Sequence, residues 1–390
     1  MASDSHPWGH CHHHKKPTAA AVSPADEGAI SPAGQPTVQA NTASGPRCAG
    51  RSATVDVAAR KRTRQRTMRA TVPFWPQTVG GAVGSVAIVS SSLRTLERIR
   101  GTVGIWTTTH ESLPAARSGE VARAIEAAGF STMWIAEAWG REAFTSAQLL
   151  LNATRTLTVA TGIANIFARD AVACANATRT LNAAYDDRFL LGLGVSHEPL
   201  VERMRGHDYS SPVARMADYL DKLDAAPSFT PEGSARPTRL IAALGPKMMQ
   251  LGATKADGIL PYLTTPQHTA EARAAIGDAF LAVEQAVVLG GTREQYLERA
   301  HAYLEIYTGL DNYKNNWRRL GFSDEDFVRG GSERLKEAMV IHGDESAIVD
   351  AVDRHVAAGA DHVCLQFLGA DLTTPPYDDW QRVGKALAAR

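Results

Sequence analysis

From Thr102 to the C-terminus, short β-branched and aliphatic runs alternate with longer stretches whose apolar residues recur at helical spacing. Strands that are each followed by a helix lie parallel and are covered by those helices, which leaves a closed barrel or an open doubly wound sheet. Strands are expected at Val103–Trp106, Thr132–Ala136, Leu157–Ile163, Phe189–Val195, Leu240–Leu244, Gly258–Leu263, Gln285–Leu289 and His362–Phe367. Helices are expected at 119–129, 144–153, 171–185, 212–225, 247–256 and 269–279. A long helical region at 293–319 and helices at 332–341 and 345–358 complete the series. Eight such units match an α/β chain folded as a (β/α)8 TIM barrel. An open sheet would announce itself with a Gly-rich first turn, and Gly101 and Gly104 make no such fingerprint. The run Leu191-Gly192-Leu193-Gly194-Val195-Ser196-His197 lacks the third glycine and sits in the fourth unit, so it is not one either.

Residues 1–100 are different in kind. They are rich in Ala, Ser, Pro, Gly and His and have almost no periodic apolar positions. Such a segment buries too little surface to offset its ordering entropy. We therefore expect 1–100 to be a disordered low-complexity tail, or an extended gene start, with 101–390 as the barrel. The run Arg60–Arg66 reads as a solvated basic stretch, and the His10–His14 cluster lacks the further ligands of an evolved metal site.

With 41 basic and 41 acidic residues, the chain carries no field that calls for nucleic acid or a charged partner. No window is apolar enough to span a membrane, and the mild stretch Val79–Val89 lies too far along to be a secretory signal. Four cysteines at wide spacing give neither a disulfide framework nor a zinc motif. A cytoplasmic protein with a small-molecule substrate is expected, with no metal and with a homodimer as an allowed assembly.

Barrel enzymes carry their chemistry just after the strands. Those positions hold Trp106, Thr107 and His110; Glu137 and Trp139; Asn165 and Arg169; Ser196, His197 and Glu198; Gly245, Pro246 and Lys247; and Tyr262. Glycines such as Gly194 let backbone approach a ligand closely. Leu244-Gly245-Pro246-Lys247 ends a strand and opens a helix whose free N–H groups suit a phosphate, with Lys247 adding charge.

Several runs carry a family likeness: AAGFSTMWIAEAWGREAF, LTVATGIANIFARD, RFLLGLGVSHEPLVERMRGHDY, LIAALGPKMMQLGATKADGILPYLTTPQHT and GADHVCLQFL. Over about residues 102–368 the chain resembles the luciferase-like monooxygenase superfamily, and within it the actinobacterial F420-dependent oxidoreductases. The resemblance implies coenzyme F420, or alternatively FMN, across the barrel mouth. It implies a non-proline cis peptide at Gly162-Ile163 behind the ring and a polar contact from Asn165. Gly194, Val195, Ser196 and the turn Leu244, Gly245, Pro246 and Lys247 would meet the cofactor's side chain and phosphate. Glu137 corresponds to the acidic residue near the deazaflavin head. Ala138 and His197 depart from the residues that related dehydrogenases carry, which points the proton role to His197 or its neighbour Glu198, His197 having an ordinary pKa near neutrality. Trp106 and Tyr262 would line the substrate side.

Three functions compete. The first is hydride transfer between the deazaflavin and a small organic substrate. The second is an FMN-dependent monooxygenase, and the third a non-catalytic flavin-binding barrel.

Overall fold

A computed structural model describes residues 94–138, 140–371 and 373–390. The expectations for residues 1–93, including the His/Cys cluster, the basic run, Cys11 and Cys48, lie outside the described residues, as does Trp139.

In chain order the elements are α1 (Arg94–Ile99), β1 (Val103–Trp106), α2 (Gly119–Ala127), β2 (Thr132–Ile135), α3 (Ala143–Ala153), β3 (Thr158–Thr161), β4 (Ala164–Asn165), α4 (Ala171–Ala184) and β5 (Phe189–Gly194). A π-helical segment at Pro199–Met204 leads to α5 (Pro212–Asp224), β6 (Arg239–Ala242), α6 (Pro246–Lys255), β7 (Gly258–Leu260), α7 (Pro266–Ile276) and β8 (Phe280–Leu289). Then follow α8 (Arg293–Tyr307), α9 (Asp311–Arg319), α10 (Glu333–Met339), β9 (Val340–Gly343), α11 (Glu345–Ala357), β10 (His362–Phe367) and α12 (Tyr377–Ala388).

Eight strands, β1, β2, β3, β5, β6, β7, β8 and β10, form a closed parallel barrel. Closure is made by β10, which pairs with β1 at Val363↔Val103 and with β8 at His362↔Ala282. The chain is therefore the TIM barrel that the βα alternation predicts. Two short strands lie outside that count. β4 follows a bulge after β3 and pairs with β5. β9 takes over the edge of β8, at Ala286↔Val340, above the point where β7 leaves it. The sequence pattern had folded β9 into the end of a helix at 332–341, because Val340-Ile341 continues that helix's apolar spacing.

α1 revises the boundary drawn at residue 100. Leu96 and Ile99 are 3% and 0% exposed and pack with Trp134, Leu190, Leu240 and Phe280 inside the barrel. The Ile99 carbonyl accepts a hydrogen bond from His362 Nδ1 at 3.2 Å. Six residues assigned to the tail thus stopper the barrel's N-terminal end; a helix this short has too few positions to show a periodic signal.

The outer core packs the helices against the strands, with Ile105, Val121, Leu150, Leu220, Ile241 and Val352 among its buried members. A second cluster joins α8, α9 and α10 through Tyr296, Tyr303, Tyr313, Trp317 and Leu335. The helical region expected as one piece breaks at Thr308–Leu310, and the break turns α9 back toward the barrel's C-terminal end.

Candidate active site

The bulge after β3 sits at the barrel mouth. The Gly162-Ile163 peptide is cis, as the resemblance implied. Trp106 Nε1–H donates to the Gly162 carbonyl at 3.0 Å, and the Ile163 carbonyl accepts from Glu137 N–H at 3.1 Å. The Ile163 side chain lies across Gly194 so closely that a Cβ there would come within 2.4 Å of Ile163 Cγ1. Only glycine lets the wedge occupy that place.

Glu137 follows β2 and is 6% exposed. It holds the rim together. One carboxylate oxygen accepts from Asn165 N–H at 2.8 Å and the other from Ala143 N–H at 3.3 Å, while Arg169 grips both from one side. With its lone pairs occupied in this way, Glu137 acts on the site by fixing Asn165 and the bulge. It also walls a cleft of about 510 Å3 lined by Arg141, Arg169 and Arg205. That cleft shares none of its lining with the β6–α6 turn described next.

At the end of β5, Ser196 takes a left-handed backbone with φ of 58°, and its carbonyl accepts from the Tyr209 hydroxyl at 3.0 Å. This turn separates two neighbours. His197 is half-buried and its ring lies 5.8 Å from that of Tyr313, whereas Glu198 is exposed. Burial lowers the His197 pKa to about 4. Desolvation of its charged form keeps His197 neutral near pH 7, below the value its residue type alone would suggest.

After β6, Gly245 is the N-cap of α6 and no side chain caps the helix. Lys247 is exposed in the first turn. Arg319, from α9, brings a guanidinium to the same place: it donates to the Leu244 carbonyl at 3.2 Å and would lie 3.5 Å from a Cβ on Gly245. Open helix N–H groups and a guanidinium suit an anion. Sequence reasoning missed Arg319 because it lies 75 residues from Leu244. Only the break after α8 brings the two together.

The opposite wall is aromatic. Tyr262, after β7, lies with ring centroids 5.3 Å from Trp106, 5.7 Å from Tyr307 and 6.5 Å from Tyr313. Its hydroxyl donates to Gln366 Oε1 at 2.6 Å, accepts from Tyr303 at 2.8 Å and lies 3.1 Å from the Tyr307 hydroxyl. Behind it Glu284 is 1% exposed, and burial pushes its pKa up to about 8. Glu284 also escaped the sequence reading, since it interrupts the apolar run of β8 and made the first half of that strand look like a loop.

The structure thus gathers Trp106, Ile163, Tyr262 and Gly194 around the bulge, with His197 beside Tyr313. Val195 and Ser196 continue β5 at the same end, and Leu244 to Lys247 form the neighbouring turn. Glu137 and Asn165 support the bulge from the rim, and Glu198 turns outward.

Comparisons with known proteins bear on this arrangement. The luciferase-like monooxygenase family matches residues 100–362. A Mycobacterium tuberculosis protein provisionally named a coenzyme F420-dependent oxidoreductase is 28% identical over 305 residues, covering 65% of this chain and 87% of its own. An F420-dependent secondary alcohol dehydrogenase, solved with an F420-acetone adduct, superimposes with a TM-score of 0.59 at 14% identity over 75% of this chain and 99% of its own. A type II Baeyer-Villiger monooxygenase from Pseudomonas putida in complex with FMN gives 0.56 at 13% identity over 74% and 98%. At such identities the two structures speak for the fold.

Proposed function

The chain belongs to the luciferase-like monooxygenase family, and on that footing we propose that it is a coenzyme F420-dependent oxidoreductase moving hydride between the deazaflavin and a small organic substrate. The observation that carries the reading is the pairing at one barrel mouth of a ring seat, the Ile163 wedge over Gly194, with an anion seat, the uncapped α6 N-terminus beside Arg319. The M. tuberculosis relative's name favours the deazaflavin over FMN.

Gly194, Val195 and Ser196 would receive the cofactor's side chain. Gly245, Lys247 and Arg319 would hold its phosphate, with the open face of Gly245 giving the close approach. Bound F420 supplies the hydride donor or acceptor. The chain's own residues do the rest: Ile163 and Trp106 set the ring's depth, and Tyr262 and Tyr307 close one side against water. His197, being neutral, orients a substrate oxygen by hydrogen bonding.

Mass and fluorescence of the cofactor extracted from protein made in an F420-producing host test the assignment. Recovery of FMN would favour the monooxygenase reading, and binding without turnover of any hydride donor the non-catalytic one.

Gly245→Val, which fills the anion seat, should weaken cofactor binding more than Lys247→Ala, because Lys247 is exposed and its charge is screened; Arg319→Ala should fall between them. Equal affinity in all three, by fluorescence titration, would remove the phosphate from this turn. His197→Ala should cost about fivefold in turnover, the rate equivalent of a neutral hydrogen bond worth ~1 kcal/mol. A loss of about 10²–10⁴ would instead return the proton-transfer role to His197, and a dead Glu198→Gln beside a healthy His197→Ala would give it to Glu198.

A further inference from the structure

We propose that Glu284, Tyr303 and Tyr262 form a proton relay from the barrel interior to the mouth, in which Tyr262 is the group that meets the substrate oxygen and Glu284 is a positioning residue that stores the proton. The proposal rests on the hydride-transfer reading above and supplies the proton that a neutral His197 does not.

The geometry is a chain of declining burial. Glu284 is 1% exposed, Tyr303 4%, and Tyr262 and Tyr307 reach partial exposure at the mouth. The Tyr303 hydroxyl lies 3.5 Å from Glu284 Oε1 and 2.8 Å from the Tyr262 hydroxyl. Gln366 Oε1 accepts from Tyr262 at 2.6 Å and lies 3.3 Å from the Tyr303 hydroxyl. An amide oxygen at that place holds both hydroxyls in line without carrying a proton itself. The Tyr262 ring packs on Trp106, whose indole N–H is tied to Gly162, so the end of the relay abuts the ring seat.

The surroundings explain why a proton is stored there. The titratable groups facing Glu284 are Tyr262 after β7, Tyr303 and Tyr307 on α8, Tyr313 on α9 and Cys364 on β10. All are neutral at pH 7, and among the described residues Glu284 has no ion pair. Its other oxygen accepts only Leu263 N–H, at 3.0 Å. A carboxylate buried without a cation is expensive, so the group keeps its proton at neutral pH.

For a carbonyl substrate, a bound reduced deazaflavin would supply hydride to the carbonyl carbon, whose π pair would become an oxyanion. An O–H bond forms to that oxygen as the Tyr262 O–H breaks; Tyr262 takes the Tyr303 proton and Tyr303 takes that of Glu284. The carboxylate left behind is reprotonated from solvent. Alcohol oxidation runs the same transfers backward.

Infrared titration of the full chain without cofactor tests the relay. The carbonyl stretch of a protonated carboxyl should vanish with a midpoint near pH 8 and be missing in Glu284→Gln. Deuterium exchange at that carboxyl should be slower in Tyr303→Phe, and Tyr262→Phe cuts the next link should the first variant fail to fold. In the loaded enzyme, Tyr262→Phe should lower turnover by about 10²–10⁴, and Glu284→Gln should abolish the inflection near pH 8 in the pH profile. A midpoint in the ordinary carboxylate range, or exchange unchanged in both tyrosine variants, overturns the proposal. Since those readings need no cofactor, they stand apart from the cofactor assignment: a midpoint near pH 8 in a chain that yields no F420 would overturn the hydride reading instead.

Discussion

Glu137→Ala should destabilise the chain by about 3–5 kcal/mol, the cost of breaking a buried ion pair from one side. Arg169 and Glu137 are 12% and 5% exposed in their side chains, so the orphaned guanidinium keeps little water, with only half-exposed Glu142 left to pair with it. The N–H groups of Asn165 and Ala143 lose their acceptor in the same stroke. Glu137→Gln, which retains one acceptor and removes the charge, should cost less. Urea unfolding of the three proteins checks the order. If Glu137→Ala melts like the parent but binds cofactor poorly, Glu137 contacts the cofactor directly, as the family resemblance implied, and the rim role is wrong.

Thermal stability should peak near pH 6.5 and fall on both sides. Burial lowers His110, His197, His355 and His362 to about 4. Below 6.5 the unfolded chain takes up protons there that the folded chain refuses, so their contribution is present above 6.5 and lost as pH falls through about 4. Glu284 has the opposite sign. Its folded pKa of about 8 lies above the ordinary carboxyl value of 4.5, so its contribution is full below 4.5 and lost as pH rises through about 8. Where the two ranges overlap, four histidines outweigh one carboxyl. Above pH 6.5 the Glu284 loss stands alone among these groups, at about 1.4 kcal/mol per pH unit. Melting temperatures between pH 6.5 and 8 should therefore decline in the parent and hold level in Glu284→Gln, which still offers an acceptor to Leu263 N–H. An unchanged decline in that variant would mean that Glu284 is ionised in the folded chain.

Much of the barrel was legible because its helices are amphipathic and its strands are short apolar runs between turn residues. Period and order are local properties, and together they leave one closed arrangement of eight parallel strands. The same locality found the glycine-bearing turns: Gly194 and Gly245 stand where a strand ends, whatever the rest of the chain does. The identity of the residue beneath the Ile163 wedge was therefore written in the sequence.

What the sequence could not determine is whatever depends on partners far along the chain. Nothing local distinguishes Glu284 from a loop residue; its neighbours Tyr303 and Cys364 lie 19 and 80 residues away. Arg319 reaches Leu244 only because α9 folds back after Thr308–Leu310. Glu137 reads as an active-site acid until Arg169 and two backbone N–H groups occupy it. Burial, which keeps His197 neutral near pH 7, is likewise invisible in its residue type and its place after a strand. Residue type and position after a strand are set by sequence, but desolvation and pairing, which decide whether a group is charged and free, exist only once the barrel has closed.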